Sequence, residues 1–369
     1  MSETSATDPS AAAAHNSWRA PAEGLGAAIL FGLSTPFAKL LLPHSDPLAL
    51  AAMLYLGAGA GLWLIDLSGR RFANGHPRRE AGLGRADLPL MAGVVIFGGI
   101  MGPLLMLTGL KHLSAIAGSL LLNLETPFTI LLAIVVFGEH LGPREALGAA
   151  AIFIGALILA VAGAAPRAFH GDLFGILAIA AACLSWAIDN NLTQRLSIRD
   201  PIAVTRFKTS AAGAVMLAFA LLRGRVAPRF GVIAAAVALG TVSYGLSLVL
   251  NIRALRSLGA ARQAAYFATA PFAGAVAAAI ALGERPGTDT LGAGLLMALG
   301  AGALALASHA HRHRHEPLDH EHAHVHDQHH AHDHPAGAVP GARHSHWHRH
   351  EPIAHAHSHL PDAHHRHTH

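Results

Sequence analysis

Two sets of residues in this sequence could do chemistry: polar side chains inside long apolar segments, and a dense run of histidines near one end. Glu125 is the thirteenth of the 25 residues in the apolar stretch 113–137, and Asn123 lies two residues before it. A carboxylate in the middle of a bilayer costs about 2.5–3.5 kcal/mol on insertion scales, so such groups usually face a cavity and serve function. We therefore expect Glu125 to bind a cation or to exchange a proton.

A second polar group follows Trp186 in the apolar segment 172–194, where Asp189 and Asn190 are adjacent. These residues are candidates for binding or coupling together with Glu125 and Asn123. We expect Trp186 and side chains of later segments to line the same cavity, the later ones being Tyr244, Asn251, Arg262 and Tyr266. The alternative is that Glu125 and Asp189 are structural and belong to a buried network, in which Arg262 or an asparagine satisfies them.

The histidines are concentrated beyond the last apolar segment, since 23 of the 29 lie within residues 309–369. Imidazole is a good ligand for zinc, copper, nickel and iron(II), and a flexible chain can wrap several imidazoles around one ion. Proline, glycine and the absence of an apolar face predict disorder for this tail. We expect it to capture a divalent metal (nickel, cobalt or zinc), with a pH-sensitive tail as the alternative. The expected ligands are His309, His311, His313, His315, His320, His322, His324, His326, His329, His330, His332, His334, His344, His346, His348 and His350.

The composition excludes several classes of protein. Apolar residues make up 52% of the chain and charged residues only 13%, whereas soluble domains carry about 25% charged residues. A water-soluble enzyme is thus excluded, and so is a disulfide-stapled protein, because Cys183 is the only cysteine. Basic residues lie in short connectors, which argues against nucleic-acid binding. No catalytic or nucleotide-binding motif is found, so we predict neither an enzyme nor a required cofactor.

Ten apolar segments are long enough to cross a bilayer as helices, which takes about 20 residues each. Residues 1–22 lack the pattern of a secretory signal, so we expect a disordered N-terminus followed by a first span that is retained. The sequence predicts an all-α integral membrane protein. The ten segments are 24–42, 47–67, 88–110, 113–137, 143–164, 172–194, 201–222, 231–253, 258–282 and 288–308.

The spans fall into two copies of a five-span unit. Residues 109–115, followed by Pro127-Phe128 and Gly138-Glu139, recur about 145 residues later as 254–260, Pro271-Phe272 and Gly283-Glu284. Because five is odd, the copies enter the membrane in opposite senses, as in transporters built from inverted repeats. We place the repeats at 23–164 and 172–308, with a linker at 165–171. Three prolines inside spans are expected to kink their helices: Pro36, Pro127 and Pro271.

These features resemble the EamA-like family of the drug/metabolite transporter superfamily. The resemblance covers about residues 24–308 and is carried by the two repeats, by residues 120–128 and by residues 186–193. It implies a gradient-coupled carrier, often an exporter, of amino acids, nucleosides, drugs or other small solutes. One departure is that many relatives have an arginine early in the second span, where this chain has Met53-Leu54-Tyr55, although the second repeat keeps Arg206.

Three functions remain open at this point. The first is efflux of a divalent metal, nickel or cobalt before zinc, with the tail feeding ions to Glu125 and Asp189. The second is export of a small organic metabolite, with the tail as buffer or regulator. The third is a membrane-anchored metal reservoir or sensor without transport. The Lys and Arg distribution, eleven residues against six, places both termini in the cytoplasm. We expect a monomer or homodimer in a bacterial inner membrane.

Overall fold

The computed structural model describes an α-helical membrane domain followed by short strands. It describes residues 18–72, 82–137, 142–162, 169–196, 199–224, 228–258, 263, 266–306, 310–314, 318–324, 344–350 and 354–358. The α-helices, numbered in chain order, are α1 Arg19–Gly32, α2 Ser34–Leu41, α3 Pro47–Phe72, α4 Leu88–Gly93, α5 Gly102–Leu110, α6 Ala115–Leu121, α7 Glu125–Phe137, α8 Pro143–Ala162, α9 Phe169–Gln194, α10 Pro201–Leu222, α11 Phe230–Leu239, α12 Ser247–Leu258, α13 Ala270–Leu282 and α14 Thr288–Leu306. Short 3₁₀ turns lie at Leu42–His44, Arg85–Asp87 and Leu122–Leu124.

Within the described residues, seven helical stretches are long and apolar enough to cross a membrane. Three of the ten predicted spans are represented by shorter apolar helices, Ala146–Val161, Ala270–Leu282 and Thr288–Leu304. In the described part of 258–282, a turn at residues 268–269 precedes α13, whose second residue is Pro271. The seven long stretches are Arg19–His44, Pro47–Leu67, Arg85–Leu110, Ala115–Leu132, Leu173–Thr193, Pro201–Leu222 and Phe230–Ala254.

The same Asp-Pro pair starts a helix in each half of the chain. The Asp46 carboxylate accepts from the backbone N–H of Leu48 at 3.0 Å, and Asp200 accepts from Ile202 at 2.9 Å. An aspartate before the first turn satisfies a free backbone N–H, and the proline after it has no N–H to satisfy. The two helices that begin here, α3 and α10, pack against each other.

Glycines let the central helices approach closely. A Cβ on Gly57 of α3 would lie 2.5 Å from the carbonyl oxygen of Val237, and one on Gly240 would lie 1.9 Å from that of Leu54. Lipid tails are as apolar as these helices, so close backbone packing has to supply the association that the hydrophobic effect supplies in water. A larger residue at either of these two positions would therefore force the helices apart.

Two spans contain a π-helical stretch. One covers Val94–Met101, between α4 and α5, and the other covers Gly240–Leu246, between α11 and α12. The two repeats are offset by about 145 residues, so the first π-helical stretch has the same position in its repeat as the second has in its own. Isolated π-helical turns redirect side chains and carbonyl groups and are frequent at functional sites.

The prolines predicted to kink helices lie near helix starts. Pro36 is the third residue of α2, which is separated from α1 by Leu33 alone, and Pro127 is the third residue of α7. Pro271 occupies the corresponding place in α13. A proline in the first turn of a helix removes no hydrogen bond from it. Bending by these residues therefore stays a prediction, while the helix breaks beside them are part of the fold.

The histidine-rich tail forms strands where it is described, which differs from the disorder expected for it. Strand β1 (Ala310–Arg314) pairs antiparallel with β4 (Ala354–Ser358), and β2 (Leu318–His324) pairs with β3 (His344–His350). The physical reason is in the sequence, because histidine alternates with other residues in all four segments and a period of two fits a strand. The expectation of disorder depended on the composition of the tail and not on this alternation.

Candidate functional site

The centre of the candidate site is a hydrogen bond between two predicted residues. Asn190 Nδ2 donates to Glu125 Oε1 at 2.7 Å. Glu125 is the first residue of α7, just after the 3₁₀ turn at Leu122–Leu124, and its side chain is half-buried. Asn190 lies near the end of α9 and is exposed. The break in the helix before Glu125 thus presents a carboxylate, with one amide partner, at the edge of the packed interior.

A buried ion pair lies beside this hydrogen bond. Lys208 Nζ of α10 binds Asp189 Oδ2 of α9, with side-chain exposures of only 9% and 7%. The hydroxyl of Thr193 donates to the other oxygen of Asp189 at 3.2 Å. Both Asp189 and Lys208 lie within electrostatic range of Glu125. Asp189 is therefore neutralised by a fixed cation, while Glu125 is paired with a neutral amide.

The π-helical stretch of the third span supplies a backbone acceptor at the same place. The carbonyl oxygen of Gly98 accepts from the Tyr55 hydroxyl at 2.9 Å and from Trp186 Nε1 at 3.3 Å. A Cβ on Gly98 would lie 2.1 Å from the Asp189 carboxyl group. Only glycine leaves room for the carboxylate here, so the ion pair depends on this position as well as on its own two residues.

Aromatic rings pack around the polar centre. The rings of Tyr55 and Tyr244 lie 5.3 Å apart, and Phe31 contacts Tyr244, Trp186 and Phe267 at 5.8, 6.1 and 5.2 Å between centroids. Tyr244 belongs to the second π-helical stretch, whereas Trp186 belongs to α9. Rings at these distances form favourable edge and tilted contacts. We call these five residues the aromatic cluster.

Other predicted residues lie elsewhere. Asn123 is buried and donates to the carbonyl oxygen of Leu120 at 2.9 Å, so its amide serves its own helix turn. Asn251 Oδ1 accepts from Gln263 Nε2 at 2.6 Å. Gln263 and Tyr266 both lie against Gly24, which places these residues in a second polar group at α1. Arg262 lies outside the described residues.

Two further ion pairs join the connectors and helix ends near one end of the bundle. Arg206 of α10 binds Asp66 of α3, and its guanidinium carbon lies 4.1 Å from the centroid of the Trp63 ring. Arg199 binds Asp87 through two contacts of 3.1 and 3.2 Å. The arginine that the second repeat keeps is thus used to join equivalent helices of the two repeats.

Metal ligands are not clustered in the described part of the membrane domain, where no group of three His, Cys, Asp or Glu side chains could hold an ion. In the tail, the strand register sets histidines opposite histidines. The pairs are His320 with His348, His322 with His346, His324 with His344, His311 with His357, and His313 with His355. His309, His315, His326, His329, His330, His332 and His334 lie outside the described residues.

The sequence analysis missed Lys208, Tyr55 and Gly98. Lys208 had a usable signal, since a lysine eight residues into an apolar span needs a partner, and Asp189 is 19 residues away. Tyr55 was seen only as the residue that replaces a family arginine. Nothing in the sequence distinguishes Gly98 from the rest of the 38 glycines of the chain.

Comparison with known proteins agrees with this architecture. The sequence model of the EamA-like transporter family matches twice, at residues 22–161 and 173–306. An uncharacterized transporter of Methanothermobacter thermautotrophicus is 31% identical over 266 residues, which is 70% of this chain and 78% of that protein. A crystal structure shares the fold with a TM-score of 0.56 at 23% identity, covering 78% of this chain and 97% of the other. The chain is therefore a multi-pass membrane protein that belongs to the EamA-like transporter family.

Proposed function

We propose that this transporter is a secondary carrier that exports a small organic solute, and that Glu125 is the group that binds the solute or the coupling proton. The observation that carries the proposal is the Glu125–Asn190 hydrogen bond beside the Asp189–Lys208 ion pair. An ionised carboxylate accepts from an amide N–H, whereas a protonated carboxyl group also has a hydrogen to donate. Gain or loss of one proton at Glu125 therefore changes its bonding to α9.

The surroundings of Glu125 favour an organic solute over a metal ion. Asp189, the second carboxylate considered for a metal, is already bound to Lys208. That pair carries no net charge, and no group of three His, Cys, Asp or Glu side chains occurs among the described residues of the membrane domain, so a divalent cation at Glu125 would have few protein ligands. Four rings of the aromatic cluster are buried beside the polar centre, so a solute with a carbon skeleton would meet apolar and π surfaces once the helices around the site move apart. Efflux of a divalent metal through this site is the alternative to export of an organic solute.

Proteoliposomes with a trapped pH-sensitive dye test this proposal. We would add amino acids, nucleosides, organic amines, Ni²⁺, Co²⁺ and Zn²⁺ in turn and record proton movement. One organic class should drive proton movement with the wild-type protein and not with Glu125→Gln. Asn191→Ala is the matched control, since Asn191 is next to Asn190 but donates to the carbonyl oxygen of Ala187 in its own helix. A response to the metals alone would overturn the proposal in favour of metal efflux.

We propose further that the tail captures divalent metal on the cytoplasmic side, as a buffer or regulator of the carrier. The strand register supports this, because three successive histidine pairs lie at every second position of β2 and β3. Residues two apart in a strand share one face, and directly opposed residues have Cβ atoms about 4.5–5.5 Å apart. A cytoplasmic tail follows from the Lys and Arg distribution of the connectors.

Equilibrium dialysis of the full-length protein in nanodiscs tests the tail proposal with Ni²⁺, Co²⁺ and Zn²⁺. Replacing His320, His322 and His324 with asparagine should lower the amount of metal bound. The control replaces Asp319 and Glu321 in the same strand with asparagine and glutamine. If the control loses as much metal as the histidine variant, carboxylates and not the paired imidazoles hold the ion.

A further inference from the structure

A contact between the two repeats lies at the end of the bundle opposite the Arg206–Asp66 pair. The carboxylate of Glu284, in the second repeat, accepts from the backbone N–H groups of Ala115 and Ile116, both at 2.8 Å. These N–H groups belong to the first turn of α6 and have no partner inside that helix. Glu284 follows Gly283, whose positive φ of 65° ends α13 and turns the chain toward α6.

A charged side chain of a third element binds the same corner. Lys39 of α2 donates from Nζ to the carbonyl oxygens of Leu110 and Leu113, at 2.5 and 2.7 Å. Leu110 is the last residue of α5, and Leu113 lies in the connector between α5 and α6. The Glu284 carboxylate thus accepts from N–H groups at the start of α6. The Lys39 ammonium group donates to carbonyl groups at and just after the end of α5. Each sign of charge meets the helix terminus that attracts it.

Helices α6 and α13 also meet α1 through small residues, with Ser119 one turn beyond the N–H groups that Glu284 binds. A Cβ on Gly32 of α1 would lie 2.2 Å from the carbonyl oxygen of Ala270, the first residue of α13. A Cβ on Gly274 of α13 would lie 2.7 Å from the carbonyl oxygen of Gly32 and 2.8 Å from Ser119 Oγ of α6. Ser119 is completely buried in this contact. Solvent reaches Ser119 only if α6 and α13 separate.

We propose that Glu284 and Lys39 form a latch, which holds this end of the carrier shut and is released each time that end opens. A carrier whose site lies between two repeats must open each end in turn. Glu284 joins the second repeat to the start of α6 in the first, and Lys39 fixes the position of that helix start by holding the preceding residues to α2 within the first repeat. The two repeats therefore cannot part at this end while Glu284 stays bound. Its release leaves a carboxylate, an ammonium group and helix ends that water can bind.

The latch goes beyond the proposed function, because it rests on membership of a transporter family and on the contacts of Glu284 and Lys39, not on the solute or on Glu125. The competing explanation is a permanent helix cap that only stabilises the fold. The latch and the permanent cap predict different solvent exposure of Ser119. A released latch exposes Ser119, whereas loss of a permanent cap lowers stability without opening the bundle.

The test measures how fast a cysteine at position 119 reacts with a methanethiosulfonate reagent in nanodiscs at fixed pH. The background is Cys183→Ala, which removes the single native cysteine, with Ser119→Cys added. Glu284→Ala should raise the labelling rate about tenfold, the population shift expected for the loss of a charge-assisted hydrogen bond. Lys39→Met should raise it in the same direction. Arg285→Ala, at an exposed neighbouring position, is the matched control and should leave the rate unchanged.

A second measurement keeps the test valid if Glu284→Ala fails to fold. Spin labels at Lys111 and Arg285, two exposed positions that flank the corner, report the distance across it in Glu284→Gln, which keeps the size of the side chain and removes its charge. The latch predicts a longer or broader distance distribution in this variant. Labelling rates and distances that stay at the wild-type values would overturn the latch and leave a permanent cap.

Discussion

At the end of the bundle that carries Glu284, charged side chains bind the backbone groups of helix ends, whereas at the end that carries Arg206 they bind one another. Glu284 and Lys39 bind the segment from Leu110 to Ile116 through its backbone N–H and carbonyl groups. Arg206 and Arg199 hold two aspartates. The contacts at both ends join segments that are far apart in the chain. The two ends differ in which groups are left without a partner when the contact is broken.

Breaking the two kinds of contact has different costs. Removing one partner of a buried ion pair leaves an uncompensated charge and costs about 3–5 kcal/mol. A charge at a helix terminus contributes about 0.3–2 kcal/mol, and both partners can bind water after they separate. The Glu284 contact can therefore be broken at smaller cost than the buried Asp189–Lys208 pair. The following substitutions test that difference, from the largest expected effect to the smallest.

Lys208→Met should give the largest loss, about 3–5 kcal/mol in the free energy of unfolding, because Asp189 would stay buried without its cation. The measurement is reversible unfolding by steric trapping in bicelles. The double variant Asp189→Leu/Lys208→Met should recover much of the loss, since no charge is then left buried. A double variant less stable than Lys208→Met would show that the pair is not held by mutual neutralisation.

Asp66→Asn should destabilise the protein by about 2 kcal/mol, the cost of losing a hydrogen bond to a charged group. The effect should be smaller than at Lys208, because Arg206 is 20% exposed at its side chain and also stacks on Trp63. The same unfolding assay measures it. Trp63→Leu serves as a comparison that removes the stacking alone. If it costs as much as Asp66→Asn, the cation–π contact and not the ion pair holds Arg206.

Glu284→Ala should lower the free energy of unfolding by only about 1 kcal/mol, in the range of a lost helix-terminal charge. The same variant is expected to have a large effect on labelling at position 119. A small loss of stability combined with a large gain in accessibility is the signature of a contact that controls opening. A loss above that of Lys208→Met would remove the contrast between the two ends.

Arg199→Gln should have the smallest effect, about 0.5 kcal/mol, because its ion pair with Asp87 is partly exposed and water replaces much of the interaction. The effect should shrink further in high salt, which screens exposed charges. Unfolding measured at two salt concentrations tests this. A salt-independent loss would mean that the pair is shielded from solvent.

Hydropathy identified the membrane segments and the polar residues in them, but not the partners of those residues. Glu125, Asp189 and Asn190 could be selected because each interrupts an apolar run. That Glu125 meets Asn190, while Asp189 meets Lys208, depends on how far each helix is rotated about its axis. That rotation is fixed by contacts such as Gly240 against Leu54, which involve residues far apart in the chain. The tail strands were missed for another reason, because composition was weighed and alternation was not.

The two π-helical stretches bear on the history of the chain. Val94–Met101 and Gly240–Leu246 occupy equivalent places in the two repeats, yet their sequences have little in common. A departure from regular helix that survives in both copies either predates the gene duplication or was selected twice. Under either history, both repeats need the π-helical stretch, and it is not an accident of local sequence.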